Sequence, residues 1–233
     1  PYGDGHINDT FLVETSASSG ADKFILQRIN SEIFQKPEEL MENIKGVTCW
    51  LRKKIMEEGG DPARETLNLR FTADEKPIFR DASGSYWRVY DFINNTSCFS
   101  QSESVDDFYQ SALSFGHFQR LLADYPAHTL HETIPHFHDT PVRFANFEKA
   151  VETDSAGRAG SVRGEIAFVM ARREYVHTLT DRQASGELPL RVTHNDTKLN
   201  NILIDNATGK GICVIDLDTV MPGLSVNDFG DSI

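Results

Sequence analysis

Cysteine is scarce: the 233 residues hold three, Cys49, Cys98 and Cys213. The number is odd, the positions are widely separated and no metal-ligand spacing links them, so a disulfide framework or zinc knuckle has no support and a reducing, cytoplasmic setting fits. Long apolar runs are missing too. The longest, IAFVMA at 166–171, sits among charges and falls far short of the roughly 20 residues a membrane helix requires, which argues for a soluble chain with no membrane partner. Basic residues are outnumbered, 23 Lys and Arg against 35 Asp and Glu, for a net charge of -12. No stretch concentrates cations enough to reverse that field, so a phosphate backbone is repelled and nucleic acid is not an expected partner. An initiator Met and a signal-peptide core are absent from PYGDGHINDTF, and DFGDSI ends the chain without a capping segment, the pattern expected of a fragment cut at both ends. No internal repeat or low-complexity segment occurs.

What is present is enough apolar material, 39%, for one large domain or two small lobes with a real core. A glycine turn leads into a strand from Thr10 to Glu14, and after a Ser/Gly-rich reversal a second strand runs from Phe24 to Ile29. Pro37 with Glu38 and Glu39 opens a helix whose apolar residues Leu40, Ile44, Val47, Leu51 and Ile55 recur every three or four positions. TLNLRF, KPIFRD and YWRVYDFI read as further antiparallel strands, closing a first lobe of residues 1–93. From Ser104 the period becomes helical through Phe108, Phe115, Phe118 and Leu121. A second helix is expected from about Gly164 to Ala184, with an irregular His-rich stretch, HETIPHFHDTPVRF, between them. Strand, polar loop, strand, turn and strand follow in LRVTHNDTKLNNILID, NATGKG and ICVIDLDT, completing a mainly helical second lobe of residues 94–233. The fold class is therefore α+β.

The polar loop carries the chemistry. Asp196 is followed by Lys198, by Asn201 five residues on, and by Asp216 twenty residues on (216 minus 196), at the end of the apolar run ICVI. Phosphoryl transfer from a nucleotide needs a carboxylate to take the acceptor's proton, a cation near the moving group and oxygen ligands for Mg²⁺. The order His, any residue, Asp, then Asn five later, with a second Asp across a short hairpin, is that of a kinase-type site, and HNDTKLNN with VID reproduces it. Taken alone, HNDTKLNN could be a polar turn between strands; the placement of Asp216 favours the chemical reading.

Through PYGDGHINDTF, FILQRIN, HETIPHFHDTP, HNDTKLNN and VIDLDTVMPG…DFGD, nearly the whole chain resembles the aminoglycoside phosphotransferase-like small-molecule kinases, and among them most closely the bacterial N-acetylhexosamine 1-kinases. The resemblance implies a two-lobed protein-kinase-like fold and transfer of the ATP γ-phosphoryl group to the anomeric hydroxyl of a hexosamine. It further implies Asp196 as catalytic base, Lys198 near the γ-phosphate, and Asn201 and Asp216 as magnesium ligands. Kinases of other small hydroxyl acceptors (aminoglycosides, choline, homoserine) and a non-catalytic fragment are the alternatives. A sulfatase-type hydrolase is disfavoured because no C/S-x-P-x-R string occurs.

Other assignments depend on register and position. GDGHIN has the first two glycines of a phosphate-covering loop, Gly3 and Gly5, but Asn8 replaces the third; with Thr10 these are expected to border the nucleotide. FILQRIN lacks the usual strand lysine. If Phe24 and Leu26 face the cleft, alternation sends Arg28 there as the substitute cation; the opposite register puts Gln27 inside and leaves Arg28 in solvent. Glu42, ahead of Glu38 and Glu39, is the expected helix partner. Adenine is expected near Asp91 to Ile93. DFGD at 228–231 lies 32 residues past Asp196 (228 minus 196), too far for the metal carboxylate, so Asp228 and Asp231 are read as organising or sugar-facing. His6 is a candidate for touching phosphate or sugar. His131, His136 and His138 with Asp139 lack a tetrahedral ligand spacing and are expected to line the acceptor pocket or bridge helices.

Overall fold

The computed structural model describes residues 2–3, 7–16, 22–101 and 104–233. Strand β1 (Asp9–Glu14) pairs antiparallel with β2 (Lys23–Ile29), Thr10 opposite Gln27 and Phe11 opposite Leu26. Helix α1 (Pro37–Glu57) follows, then β3 (Leu69–Arg70), β4 (Phe79–Arg80) and β5 (Tyr86–Asp91). Their sheet runs β1-β2-β5-β3, with β4 also on β5. Gln27 lies opposite Arg88 and Leu26 opposite Val89. Because side chains alternate across a strand, Thr10, Gln27 and Arg88 form one row on one face, and Phe11, Leu26 and Val89 form a row on the other. The first row turns toward α1, whose Leu40, Met41, Ile44 and Val47 are wholly buried; each contributes about 1.5–3 kcal/mol of apolar burial. Proline in the first turn and Glu38 and Glu39 beside the N-terminal dipole set the helix start.

Helix α1 also bonds to the later part of the chain. Asn43, 1% exposed, donates from Nδ2 to the carbonyls of His131 (2.8 Å) and Val220 (3.0 Å) and accepts from the His131 N–H (2.8 Å). Asn43→Ala would orphan all three backbone groups and is expected to cost about 2–4 kcal/mol, measurable as a lower urea midpoint; an unchanged midpoint would remove this tie from the account.

Strand β6 (Thr96–Ser97) leads to α2 (Val105–Leu121), which starts at a capping box between Ser104 and Asp107 and buries Phe115, Phe118 and Leu121. Beyond α3 (Thr140–Thr153), α4 (Arg163–Met170) and α5 (Thr178–Ala184) come β7 (Arg191–Thr193), β8 (Ile202–Asp205), β9 (Gly211–Val214), β10 (Met221–Gly223) and α6 (Ser225–Asp231). β6, β8 and β9 form one small sheet, β7 and β10 another.

The chain divides into two compact units, residues 1–133 with 191–233, and residues 134–190. The expected boundary near Ile93 falls inside the first, because Asn43 and, as described below, Asn8 and Arg88 bond across it. Two sequence expectations change in the second unit. The stretch read as irregular contains α3, started by Asp139 as N-cap, whose carboxylate accepts from Val142 N–H (3.1 Å), and by a proline in the first turn. The single helix expected over 164–184 is two short helices, α4 and α5, neither of which buries a residue; no apolar face there sustains a longer helix. No described helix is long and apolar enough to cross a membrane.

Candidate active site

β7 delivers residues 193–197 into a buried frame. The His194 ring lies edge-on to Phe115 and Phe118, at centroid distances of 5.2 and 5.8 Å. Burial lowers its pKa and outweighs the nearby carboxylates, so the neutral ring donates from Nε2 to the Ile215 carbonyl (2.9 Å) while Nδ1 accepts from Asp196 N–H (3.3 Å). Asn195 takes a left-handed φ of 65°, which asparagine tolerates better than most residues, and its Nδ2 donates to the Thr219 carbonyl (2.7 Å). Thr219 Oγ1 donates back to the His194 carbonyl (2.6 Å). The loop and the segment after β9 are thereby joined side by side.

Asp228 completes this frame. It is 2% exposed, and its carboxylate accepts from His194 N–H (2.9 Å), Asn195 N–H (2.8 Å) and Gln119 Nε2 (3.0 Å). Both oxygens are engaged in holding backbone, which corrects the sugar-facing alternative for Asp228. Asp231 is exposed and accepts from Thr197 N–H (2.6 Å) and Thr197 Oγ1 (3.2 Å) through a single oxygen, so it is tied to the loop rather than being a solvated turn residue.

At the open edge of the frame the four residues of the sequence pattern meet. Asn201 Nδ2 donates to the Asp196 carbonyl (2.8 Å) and to its carboxylate Oδ2 (2.9 Å), and Lys198 Nζ lies 2.7 Å from that same oxygen. Asp196 Oδ1 is left out of these contacts. The Ile215 N–H donates to the Asn201 carbonyl (2.9 Å), bringing Asp216 alongside. Asp216 adopts a left-handed φ of 58°, costly for a non-glycine residue though least so for Asn and Asp. It keeps accessible surface although protein atoms crowd around it closely enough to desolvate the carboxylate. That desolvation, reinforced by the Asp218 carboxylate, pushes its pKa up to about 6.

Asp218 and Arg88 are the residues the sequence reading missed. Asp218 is 3% exposed; it accepts from Arg88 Nη1 and from Asn8 Nδ2 (2.5 Å). Arg88 Nε donates to Gln27 Oε1 (2.9 Å), and Gln27 Nε2 donates to Thr10 Oγ1 (3.0 Å). Burial works against the Arg88 charge, but Asp218, with Tyr90 and Asp216, outweighs it and holds the guanidinium more firmly protonated than usual. The DLDT string and an arginine alternating with apolar residues in YWRVYDFI were the available signals.

Several expected placements are corrected. Arg28 is not the cleft cation: its Nε donates to Asp9 (2.7 Å) on the opposite face, because the observed register turns Gln27 inward, and a one-residue shift reverses every side chain. Among the described residues none of these helix acids pairs with a strand cation: Glu42 meets His131 Nε2 (2.7 Å), Glu39 meets Lys36 (2.8 Å), and Glu38 bonds Tyr86. The Asn8 side chain serves protein rather than phosphate, since its Oδ1 accepts from Asn30 N–H (2.9 Å) and its Nδ2 serves Asp218. Gly3 has φ 77° and open space where a Cβ would stand; Gly5 and His6 lie outside the described residues. The Asp91 carboxylate pairs with Arg70, and Ile93 is buried, its carbonyl accepting from Thr96 Oγ1 (2.8 Å). His131 belongs to the first unit, whereas His136, at 3.1 Å from Asp139, and His138 belong to the second. Among the described residues no group of three His, Cys, Asp or Glu side chains is arranged to hold a metal. Cys49 and Cys98 are exposed, Cys213 is buried, and all three are free. A cavity of about 890 Å³ bordered by Leu51, Arg64, Phe118 and Cys213 includes none of Asp196, Asn201 or Asp216 in its walls.

A buried neutral histidine and two carboxylates on either side of a short hairpin reproduce the arrangement expected of a phosphotransferase on the kinase-like plan. The family model described as "phosphotransferase enzyme family" matches residues 1–233, and the chain belongs to that family. Among solved structures, an aminoglycoside phosphotransferase from Alicyclobacillus acidocaldarius superposes with a TM-score of 0.61 at 13% identity, over 98% of this chain and 67% of its own. A microcompartment-associated aminopropanol kinase gives 0.60 at 17%, over 96% and 69%. An ethanolamine kinase of Plasmodium vivax gives 0.54 at 14%, over 98% and 59% of its own length. The fold is that of the aminoglycoside phosphotransferases.

Proposed function

We propose that this chain is a small-molecule kinase that transfers the γ-phosphoryl group of ATP to the anomeric hydroxyl of an N-acetylhexosamine. The observation that supports the phosphotransfer reading is the partly exposed Asp196 carboxylate, held through one oxygen, Oδ2, by both Asn201 and Lys198. The choice of hexosamine rests on the resemblance of the quoted motifs. A second reading, an amino alcohol or aminoglycoside acceptor, is favoured by the aminopropanol kinase, aminoglycoside phosphotransferase and ethanolamine kinase that share the fold.

In this reading Asp196 orients the acceptor hydroxyl and takes its proton as the acceptor oxygen bonds to the γ-phosphorus and the bond to the ADP oxygen breaks. Lys198 is the cation beside the moving phosphoryl group. The nucleotide lies along Gly3 and Thr10, with adenine near Asp91 and Ile93; the expected contact at Gly5 falls outside the described residues. Asp231 borders the acceptor. Asp216 and Asn201, whose Oδ1 is not used by the bonds to Asp196, offer hard oxygen ligands of the kind that magnesium takes together with phosphate oxygens and water. When bound, the ion neutralises phosphate charge as it develops. Positioning supplies the rest.

The acceptor is identified by ³¹P NMR of products formed with N-acetylglucosamine, N-acetylgalactosamine, aminopropanol, ethanolamine and aminoglycosides. A sugar 1-phosphate resonance is the expected result; phosphorylation of an amino alcohol or aminoglycoside alone would establish the second reading instead.

A pH dependence follows from Asp216. Its raised pKa of about 6, against 3.8 for an ordinary aspartate, means that protons compete with a cation at unusually high pH. Without metal, this group's stabilising contribution is complete below its unfolded value and is lost as pH rises through about 6. Metal-supported nucleotide binding should therefore weaken as pH falls from 7 to 5, as read by calorimetric titration at each pH. Affinity that stays flat across that range would exclude Asp216 from the metal site.

A further inference from the structure

We propose that Arg88 is a positioning residue of this site: its buried pair with Asp218 fixes the 216–218 turn, and with it the Asp216 carboxylate, against the N-terminal sheet. The inference rests on the phosphotransfer reading and adds the residue that takes the place of a strand cation paired with a helix acid.

The Arg88 and Asp218 side chains are 1% and 5% exposed. So buried a pair contributes little net stability relative to apolar packing, and geometry is its better-attested return. Every connection of the pair serves geometry. Gln27, across from Arg88 on β2, accepts from Nε, and is itself anchored to Thr10 on β1. Asn8 holds the second oxygen of Asp218 and receives the Asn30 N–H. A polar row thus crosses three strands and ends on one carboxylate, two residues beyond Asp216, with Leu217 between them only 1% exposed.

On its other side Asp216 is fixed by the bond from Ile215 N–H to Asn201. Its left-handed backbone is held at both flanks, as a residue in a disfavoured conformation requires. Helix α1 offers Arg88 a methionine, Met41 Sδ at 3.9 Å from Nη1, and no carboxylate. The sheet-to-metal-segment link is therefore independent of a helix acid. Because Arg88 has almost no accessible surface, it acts through Asp218 and Asp216 rather than by touching nucleotide.

The test uses Arg88→Lys, the double variant Arg88→Gln/Asp218→Asn, and Gln27→Leu, with Asp196→Asn as control. Each is measured for thermal midpoint, kcat, KM for ATP and the electron paramagnetic resonance spectrum of Mn²⁺ with bound ADP. The double variant, which removes both charges together and leaves polar side chains at both positions, is expected to fold, to hold KM within about 3-fold and to lose about 30-fold or more in kcat, with an altered Mn²⁺ spectrum. Arg88→Lys should recover part of that loss, and Gln27→Leu should lose about 10-fold. If the double variant keeps wild-type kcat and spectrum, the pair is structural only and the proposal falls; if it does not fold, the same result with Gln27→Leu decides. Should Asp196→Asn itself remain fully active, the phosphotransfer reading fails, and that outcome is separate from a failure confined to Arg88.

Discussion

Asp196→Asn is expected to lower turnover by about two to four orders of magnitude, the scale of a lost general base, while nucleotide affinity stays within about 3-fold. The substitution is nearly isosteric. Asn201 keeps its bond to the main-chain carbonyl of residue 196, and an amide oxygen can accept from Asn201 Nδ2 and from Lys198 as Oδ2 does now. The frame around His194, Asn195 and Asp228 is untouched, because the Asp196 side chain takes no part in it. What disappears is the second carboxylate oxygen, the one group placed to take the acceptor's proton. Steady-state kinetics together with calorimetric ATP titration separate these effects. Unchanged turnover would remove Asp196 from the base role, and a comparable loss of affinity would make it a binding residue.

The candidate site was legible in the sequence where phosphotransfer chemistry calls for particular residue types at fixed spacing. Asp196, Lys198, Asn201 and Asp216 lie on one short loop and the end of one strand, so local geometry brings them together once β8 and β9 pair. Helix α1 was legible for a comparable reason: Leu40, Ile44, Val47, Leu51 and Ile55 recur at helical spacing, and all are buried. What stayed hidden depends on strand register. Arg28 and Gln27 are adjacent, and alternation alone does not say which faces α1; that is decided by β5, whose Arg88 needs an oxygen partner opposite and finds it in Gln27. The importance of Arg88 lies in its partner 130 residues away, a separation over which no local pattern carries information. Asp218 was obscured by Asp216, and Asp228 by an acidic turn that spells a familiar motif while doing different work. The segment 134–190 was read least well because its helices bury so little that apolar periodicity, the main signal for helix extent, is weak there.

Asp228→Ala is expected to destabilise the fold by about 3–5 kcal/mol, with the thermal midpoint falling on the order of 10 °C for a chain of this size. The carboxylate is buried and receives two main-chain N–H groups of the loop and the Gln119 amide. Alanine leaves all three donors without that acceptor, at a position only 2% exposed. Because the two main-chain donors belong to His194 and Asn195, the damage falls on the residues that lead into Asp196, and catalysis should fail in whatever fraction remains folded. Asp231→Ala supplies the contrast: that carboxylate is exposed, holds Thr197 through one oxygen, and should cost about 1 kcal/mol. Differential scanning calorimetry of the two variants discriminates directly. Equal midpoints would mean that Asp228 is an ordinary surface acid and that the loop is held by packing alone. A wide gap, with Asp231→Ala still near wild type, would establish that a buried acid distant in sequence sets the shape of the catalytic loop.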